Sequence, residues 1–264
     1  VSDLHVLRLG ETGSRVVFLH GLFGQGRNWM TIAKGLSDRH RVALVDLPNH
    51  GRSAWTEHVD YLDMAAQVAA LLKTEGPATV VGHSMGGKVA MVLALTRPDL
   101  VERLVVADMS PVDYGDDPDA TDGVLGYARI LLDLDLSRLA RREDADNLLA
   151  EQVSDPTIRA FLLQNLRREG QDGWRWAANL EAIVRDGTVL SGWPAEALAG
   201  HQPYAGRVLW LAGETSGYVQ PAYDETMRHW FPHYRKVTIK GAGHWLHSEK
   251  PDVFLATVQR FLGD

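Results

Sequence analysis

Cysteine is absent from the sequence. Disulfides, thiolate metal centres and a cysteine nucleophile are thereby excluded, and no redox compartment is implied. Long apolar runs are missing too. No window approaches the roughly 20 apolar residues that a bilayer-spanning helix needs, and the start, Val1-Ser2-Asp3-Leu4-His5, has no basic segment followed by an apolar one. No membrane contact is expected and the chain reads as cytoplasmic, although a first residue other than Met leaves an earlier leader open. Clustered positive charge is also scarce. No run of Lys or Arg exceeds the pairs Arg141-Arg142 and Arg167-Arg168, and 27 basic against 34 acidic residues give a net charge of -7. That balance argues against nucleic acid as a partner. Nothing in the composition reads as low-complexity or disordered.

What is present is a chain of 264 residues, 45% of them hydrophobic, enough for a sizeable core. Short β-branched apolar runs alternate with longer segments of helical period, the pattern of a mostly parallel sheet covered by helices on both faces. The strands expected are Val16–Leu19, Val42–Val45, Thr79–Val81, Leu104–Ala107, Val208–Ala212 and Lys236–Ile239, with His5–Leu9 as an antiparallel edge strand. Tyr61–Lys73, Met85–Thr96 and Asp252–Leu262 read as crossover helices. From Asp113 to Gly200 the alternation stops. That stretch shows no convincing strand and reads as amphipathic helices carrying Leu131, Leu132, Phe161, Leu162, Trp174 and Trp176. The expected organisation is therefore an α/β core from 1–112 and 201–264 with an inserted helical cap at 113–200, where most of the cap's apolar residues pack it onto the core.

Three stretches carry chemistry. Gly82-His83-Ser84-Met85-Gly86 matches G-x-S-x-G, and it lies between a strand and a helix. In that context the motif is a nucleophile elbow, a tight turn that lifts the Ser84 hydroxyl above the sheet, with glycines where a Cβ would meet neighbouring backbone. The helix start beside it favours negative charge. His20-Gly21-Leu22-Phe23-Gly24 follows an earlier strand, where the N–H of Leu22, with that of Met85, can form an oxyanion hole. Gly241-Ala242-Gly243-His244-Trp245 follows the last strand, and the glycines let His244 reach Ser84 as general base. His244 and His247 do not form the H-E-x-x-H pattern of a zinc site, so no metal is expected, and a serine route in which water resolves an acyl-enzyme needs no cofactor.

With these placed, the chain resembles the α/β-hydrolase superfamily over nearly its whole length, most closely the small esterases of the YbfF and mitochondrial abhydrolase type. The blocks carrying the resemblance are Asp46-Leu47-Pro48-Asn49-His50-Gly51-Arg52-Ser53, Gly82 to Lys88, Val106-Ala107-Asp108-Met109-Ser110-Pro111, and Gly243 to Pro251. The resemblance implies a Ser, acid, His order. It also implies an Asp in the loop Gly213-Glu214-Thr215-Ser216-Gly217-Tyr218-Val219, where this chain has Ser216. Asp108, after the preceding strand, is then the better candidate for the acid, as in relatives of the YbfF type, and Glu214 is its rival. The Asp46–Ser53 block reads as architectural. Phe23, Trp174, Trp176 and Trp245 are candidates for lining a substrate pocket, each also a plausible packing residue.

The activity implied is hydrolysis of small-molecule carboxylic esters of short to medium acyl chain through an acyl-enzyme. Alternatives on the same scaffold are thioesterase, perhydrolase, C–C hydrolase or cofactor-free dioxygenase chemistry, or ligand binding without catalysis. Substrate identity and oligomeric state are not legible in the sequence.

Overall fold

The computed structural model describes residues 4–115, 118–170 and 173–263; the opening residues 1–3 lie outside this range. In chain order it runs β1 (Val6–Leu9), β2 (Ser14–Leu19), α1 (Met30–Leu36), β3 (His40–Val45), α2 (Tyr61–Glu75), β4 (Ala78–His83), α3 (Met85–Thr96) and β5 (Val101–Ala107). An intervening segment follows: α4 (Pro118–Leu132), α5 (Arg142–Leu149), α6 (Pro156–Leu163), β6 (Leu166–Glu169), β7 (Gly173–Trp176), α7 (Leu180–Arg185), α8 (Gly187–Ser191) and α9 (Ala195–Leu198). The chain then returns through β8 (Arg207–Gly213), α10 (Asp224–Trp230), β9 (Tyr234–Ile239), α11 (Leu246–Glu249) and α12 (Pro251–Leu262).

Seven strands form one sheet in the order β1-β3-β2-β4-β5-β8-β9. Only β1 is antiparallel, pairing Val6 with Val45 at the edge; the remaining pairs are parallel. This is the α/β-hydrolase fold. The period of two explains why the inner strands are apolar throughout. Val17, Leu19, Val80, Leu104, Val106, Val208 and Trp210 share one buried cluster with α2 and α3. Their sequence neighbours Val16, Phe18, Val81, Val105, Leu209 and Leu211 share the other with α1 and α12. Both faces are covered, so apolar side chains dominate on each.

The intervening segment packs into the first of these clusters through Ala128, Leu131, Leu139, Leu162 and Ile183, among others. It differs from the sequence expectation in one respect. Leu166–Glu169 and Gly173–Trp176 form an antiparallel hairpin that pairs Leu166 with Trp176 and Arg168 with Trp174. Four of its eight strand residues are charged, which hides it from a search for apolar runs. Among the described residues no helix is long and apolar enough to cross a membrane.

Candidate active site

Ser84 stands between β4 and α3 with φ 53° and ψ -122°, a positive φ that costs a non-glycine residue energy and persists only where its surroundings enforce it. Two glycines permit the turn. A Cβ on Gly82 would lie 2.1 Å from the carbonyl oxygen of Gly86, and one on Gly86 would lie 2.5 Å from the carbonyl oxygens of Leu19 and His20. A serine at a helix N-cap commonly folds its hydroxyl back onto the helix. Ser84 makes no such bond; its hydroxyl donates to His244 Nε2 at 3.0 Å.

His244 lies on the loop after β9, and its backbone is fixed from two directions. The carboxylate of Glu249 accepts from the N–H groups of Gly243 (2.7 Å) and Trp245 (3.2 Å). Buried His83 donates from Nε2 to the His244 carbonyl at 2.8 Å. Tyr218 covers the His244 ring at 4.2 Å between centroids. Burial, followed by the neighbouring His247 and His244 rings, holds His83 well below the usual imidazole range. Burial likewise lowers His247 to about 3, reinforced by His244. His244 is thus surrounded by imidazoles that stay neutral.

The second ring nitrogen of His244, Nδ1, donates to Asp108 Oδ2 at 2.8 Å. Asp108 immediately follows β5, is fully buried, and also has positive φ, 52°. Its other oxygen accepts from the N–H of Gly213 at 2.9 Å, and the Ser216 hydroxyl donates to Oδ2. The structure thus brings Ser84, His244 and Asp108 into one chain of hydrogen bonds. It leaves Glu214 outside: that exposed carboxylate accepts from the N–H of Gly241 at 2.9 Å and braces the loop.

The loop carrying Leu22 presses on the same place, since a Cβ on Gly21 would lie 3.1 Å from Ser84 Cβ. His20 sets its shape, donating from Nδ1 to the Gly21 carbonyl at 2.8 Å and accepting at Nε2 from Leu47 N–H at 2.9 Å. Burial lowers its pKa, which keeps that neutral tautomer. Met85 opens α3, so its N–H is one of those a helix cannot satisfy internally. The Asp46 block serves this loop structurally: Asp46 accepts from Gly26 N–H (2.7 Å) and Arg52 N–H (2.9 Å).

Two cavities flank Ser84. One, about 580 Å³ of empty space including its mouth, is lined by Leu22, Phe23, Tyr127, Ile158, Phe161, Leu162, His244 and Trp245, among others. It adjoins an outer cleft that shares Asn28, Ile158, Phe161, Trp245 and His247. The other, about 460 Å³, is lined by Leu22, Tyr61, Ser84, Met85, Met109, Tyr114, Leu125, Leu190, Ser191 and Tyr218. Phe23 and Trp245 therefore border the first cavity. Trp174 and Trp176 line neither: Trp176 is buried in the core cluster, and Trp174 donates to the Leu139 carbonyl at 2.9 Å while its ring carries the Arg168 guanidinium. Their place on β7 of the hairpin turns them to packing. Sequence reasoning missed His83, Glu249 and Tyr218 as supports of the site. Each lies in a stretch singled out above, His83 in the elbow motif, Tyr218 in the loop after β8 and Glu249 in the block from Gly243 to Pro251, but none carries a signal of its own.

The residues 14–251 match the model of the alpha/beta hydrolase fold family. The chain is 40% identical over 253 residues to the sn-1-specific diacylglycerol lipase ABHD11 of Mus musculus, covering 94% of this chain and 80% of that protein. It is 31% identical over 256 residues to esterase YbfF of Escherichia coli, covering 96% and 95% respectively. Among solved structures, a marine microorganism esterase superposes with a TM-score of 0.94 at 32% identity, covering 99% of this chain and 100% of that one.

Proposed function

The chain belongs to the α/β-hydrolase fold family, and from that premise we propose that it is a serine esterase in which Ser84, His244 and Asp108 form the catalytic triad. The observation that supports this most is the unbroken path of two hydrogen bonds, 3.0 and 2.8 Å, from the Ser84 hydroxyl through the imidazole to a buried carboxylate. His244 takes the hydroxyl proton as Ser84 Oγ attacks the ester carbonyl carbon. The tetrahedral oxyanion rests on the N–H groups of Leu22 and Met85. Collapse breaks the bond to the alcohol oxygen, which receives the proton from His244. Water then attacks the acyl-enzyme by the same route and returns the serine. Asp108 keeps the Nδ1–H tautomer and stabilises the imidazolium without taking the proton.

The cavities divide the substrate. The leaving alcohol must lie beside the imidazole that protonates it, so it occupies the cavity lined by His244, which adjoins the outer cleft. The acyl chain enters the cavity lined by Tyr61, Met109, Leu125 and Leu190. Residues 113–200, which supply walls to both, serve as a cap. A compact acyl cavity favours short to medium chains. Relatives named as diacylglycerol lipases make a glyceride ester the natural extension of the series.

The test is a series of p-nitrophenyl esters from two to twelve carbons together with a diacylglycerol. We expect turnover that peaks at short to medium chains and falls by at least about 10⁴-fold in Ser84→Ala. Equal turnover by Ser84→Ala would reject the assignment.

A further inference from the structure

Lys88 sits one turn beyond Ser84 on α3, and the reaction does not use it. Its side chain is fully buried, a costly place for a cation. No carboxylate among the described residues forms an ion pair with it. It donates instead to two carbonyls at the end of α8, Ser191 (2.8 Å) and Gly192. Its ammonium also lies over two ring faces, Tyr114 at 4.8 Å and Tyr61 at 5.6 Å. A cation at a helix C-terminus meets the orphan carbonyls and the negative end of the dipole together. The same partners reach α8 independently: Tyr61 donates its hydroxyl to the Leu190 carbonyl at 2.7 Å, and Tyr114 N–H donates to the Ser191 carbonyl at 3.1 Å.

Tyr61, Tyr114, Leu190 and Ser191 are all walls of the cavity assigned above to the acyl chain. We infer that Lys88 is a specificity-determining positioning residue, a strut from the nucleophile helix that holds residues 190–192 against the acyl cavity and so sets its length. This rests on the esterase reading and on the division of the two cavities. Removing the strut lets α8 retreat. Longer acyl chains should gain relative to short ones, because walls one or two methylenes away decide such selectivity.

The measurement is the ratio of kcat/KM for p-nitrophenyl hexanoate to that for the acetate, in the unmodified enzyme, Lys88→Met and Lys88→Gln, with thermal melts to show which variants fold. We expect the ratio to rise roughly tenfold in Lys88→Met, and less in Lys88→Gln, whose amide still donates. A ratio unmoved in every folded variant overturns the inference, including the case where both rates fall together. If neither variant folds, the ratio in the unmodified enzyme between pH 6 and 9 decides. Burial lowers the lysine pKa to about 7, with the charge of nearby Asp113 opposing. Tyr61 and Tyr114 keep their protons in that range, their pKa values being raised by burial. The titration of the triad is common to both substrates and cancels. The neutral amine keeps two N–H donors but loses the charge that the ring faces and the helix end hold, so a ratio that climbs in step with the titration of Lys88, followed by NMR, upholds the strut, and a ratio that stays flat through that titration or moves apart from it overturns it. Absence of Ser84-dependent cleavage of either ester would instead reject the esterase reading itself.

Discussion

The carboxylate of Asp108 accepts from three donors, the His244 ring, the Gly213 N–H and the Ser216 hydroxyl. Ser216 occupies the loop position where the resembled superfamily usually has its acid, and its hydroxyl donates to Asp108, one strand over. Sequence spacing alone could not choose between Asp108 and Glu214, because strand ends at either place can serve the imidazole. The choice depends on which carboxylate is buried and aimed. Replacing Asp108 by Asn keeps the shape but offers an amide that cannot enforce the Nδ1–H tautomer, so kcat should fall by roughly four decades. Glu214→Gln should leave kcat close to the parent value, since a glutamine carbonyl can still accept from Gly241 N–H. Steady-state kinetics on one p-nitrophenyl ester compares them, and the reverse pattern would move the acid to Glu214.

At the scale of elements, the turn between β4 and α3 tolerates almost nothing and the middle of α4 tolerates a good deal. A Cβ on Gly86 meets two backbone oxygens at 2.5 Å, and backbone cannot step aside as a flexible side chain can. Gly86→Ala should therefore disrupt the elbow, removing activity and lowering the melting temperature together. Among the described residues, no atom outside the adjoining backbone of α4 lies within 4 Å of a Cβ added to Gly126. Gly126→Ala should raise stability by about 0.5–1 kcal/mol by restricting the unfolded chain, measured by urea denaturation. A loss of stability there would mean that α4 needs its glycine for motion.

The same scale separates what the sequence made legible from what it did not. β2, β4, β5 and β8 were readable because both faces are buried and their runs are continuously apolar. The elbow was readable because its glycines are dictated by backbone collisions. α1 was not: seven residues are too few to display a helical period, and Gly35 within it, where a Cβ would come within 2.3 Å of Leu255, reflects packing on α12. The β6–β7 hairpin was hidden by its arginines. For the same reason Trp174 and Trp176 looked available for a pocket, although cross-strand pairing commits them to Arg168 and Leu166.

For the molecule as a whole, the buried bases predict an unusual dependence of stability on pH. His50 and His247 are lowered by burial to about 3 from an ordinary 6.5, and His20 and His83 are lowered as well. The unfolded chain therefore binds more protons than the native one between roughly pH 3 and 6.5. Stability must rise with pH across that window, by up to about 1.4 kcal/mol per pH unit for each such histidine. Lys88 extends the trend in the same direction: native near 7 and ordinarily 10.5, its buried charge favours unfolding in full below pH 7, and that contribution recedes as pH climbs from 7 to 10.5. Above about pH 10 the sign reverses, because Tyr61 and Tyr114 are held protonated by burial while the unfolded chain ionises. Maximum stability should accordingly fall on the alkaline side, between about pH 8 and 10, well away from the isoelectric point near 5.9. Urea midpoints taken from pH 4 to 11 measure this directly. A maximum near pH 6 would mean that these imidazoles and the lysine gain protons without unfolding, and that the packing around the site opens to water far more readily than their burial implies.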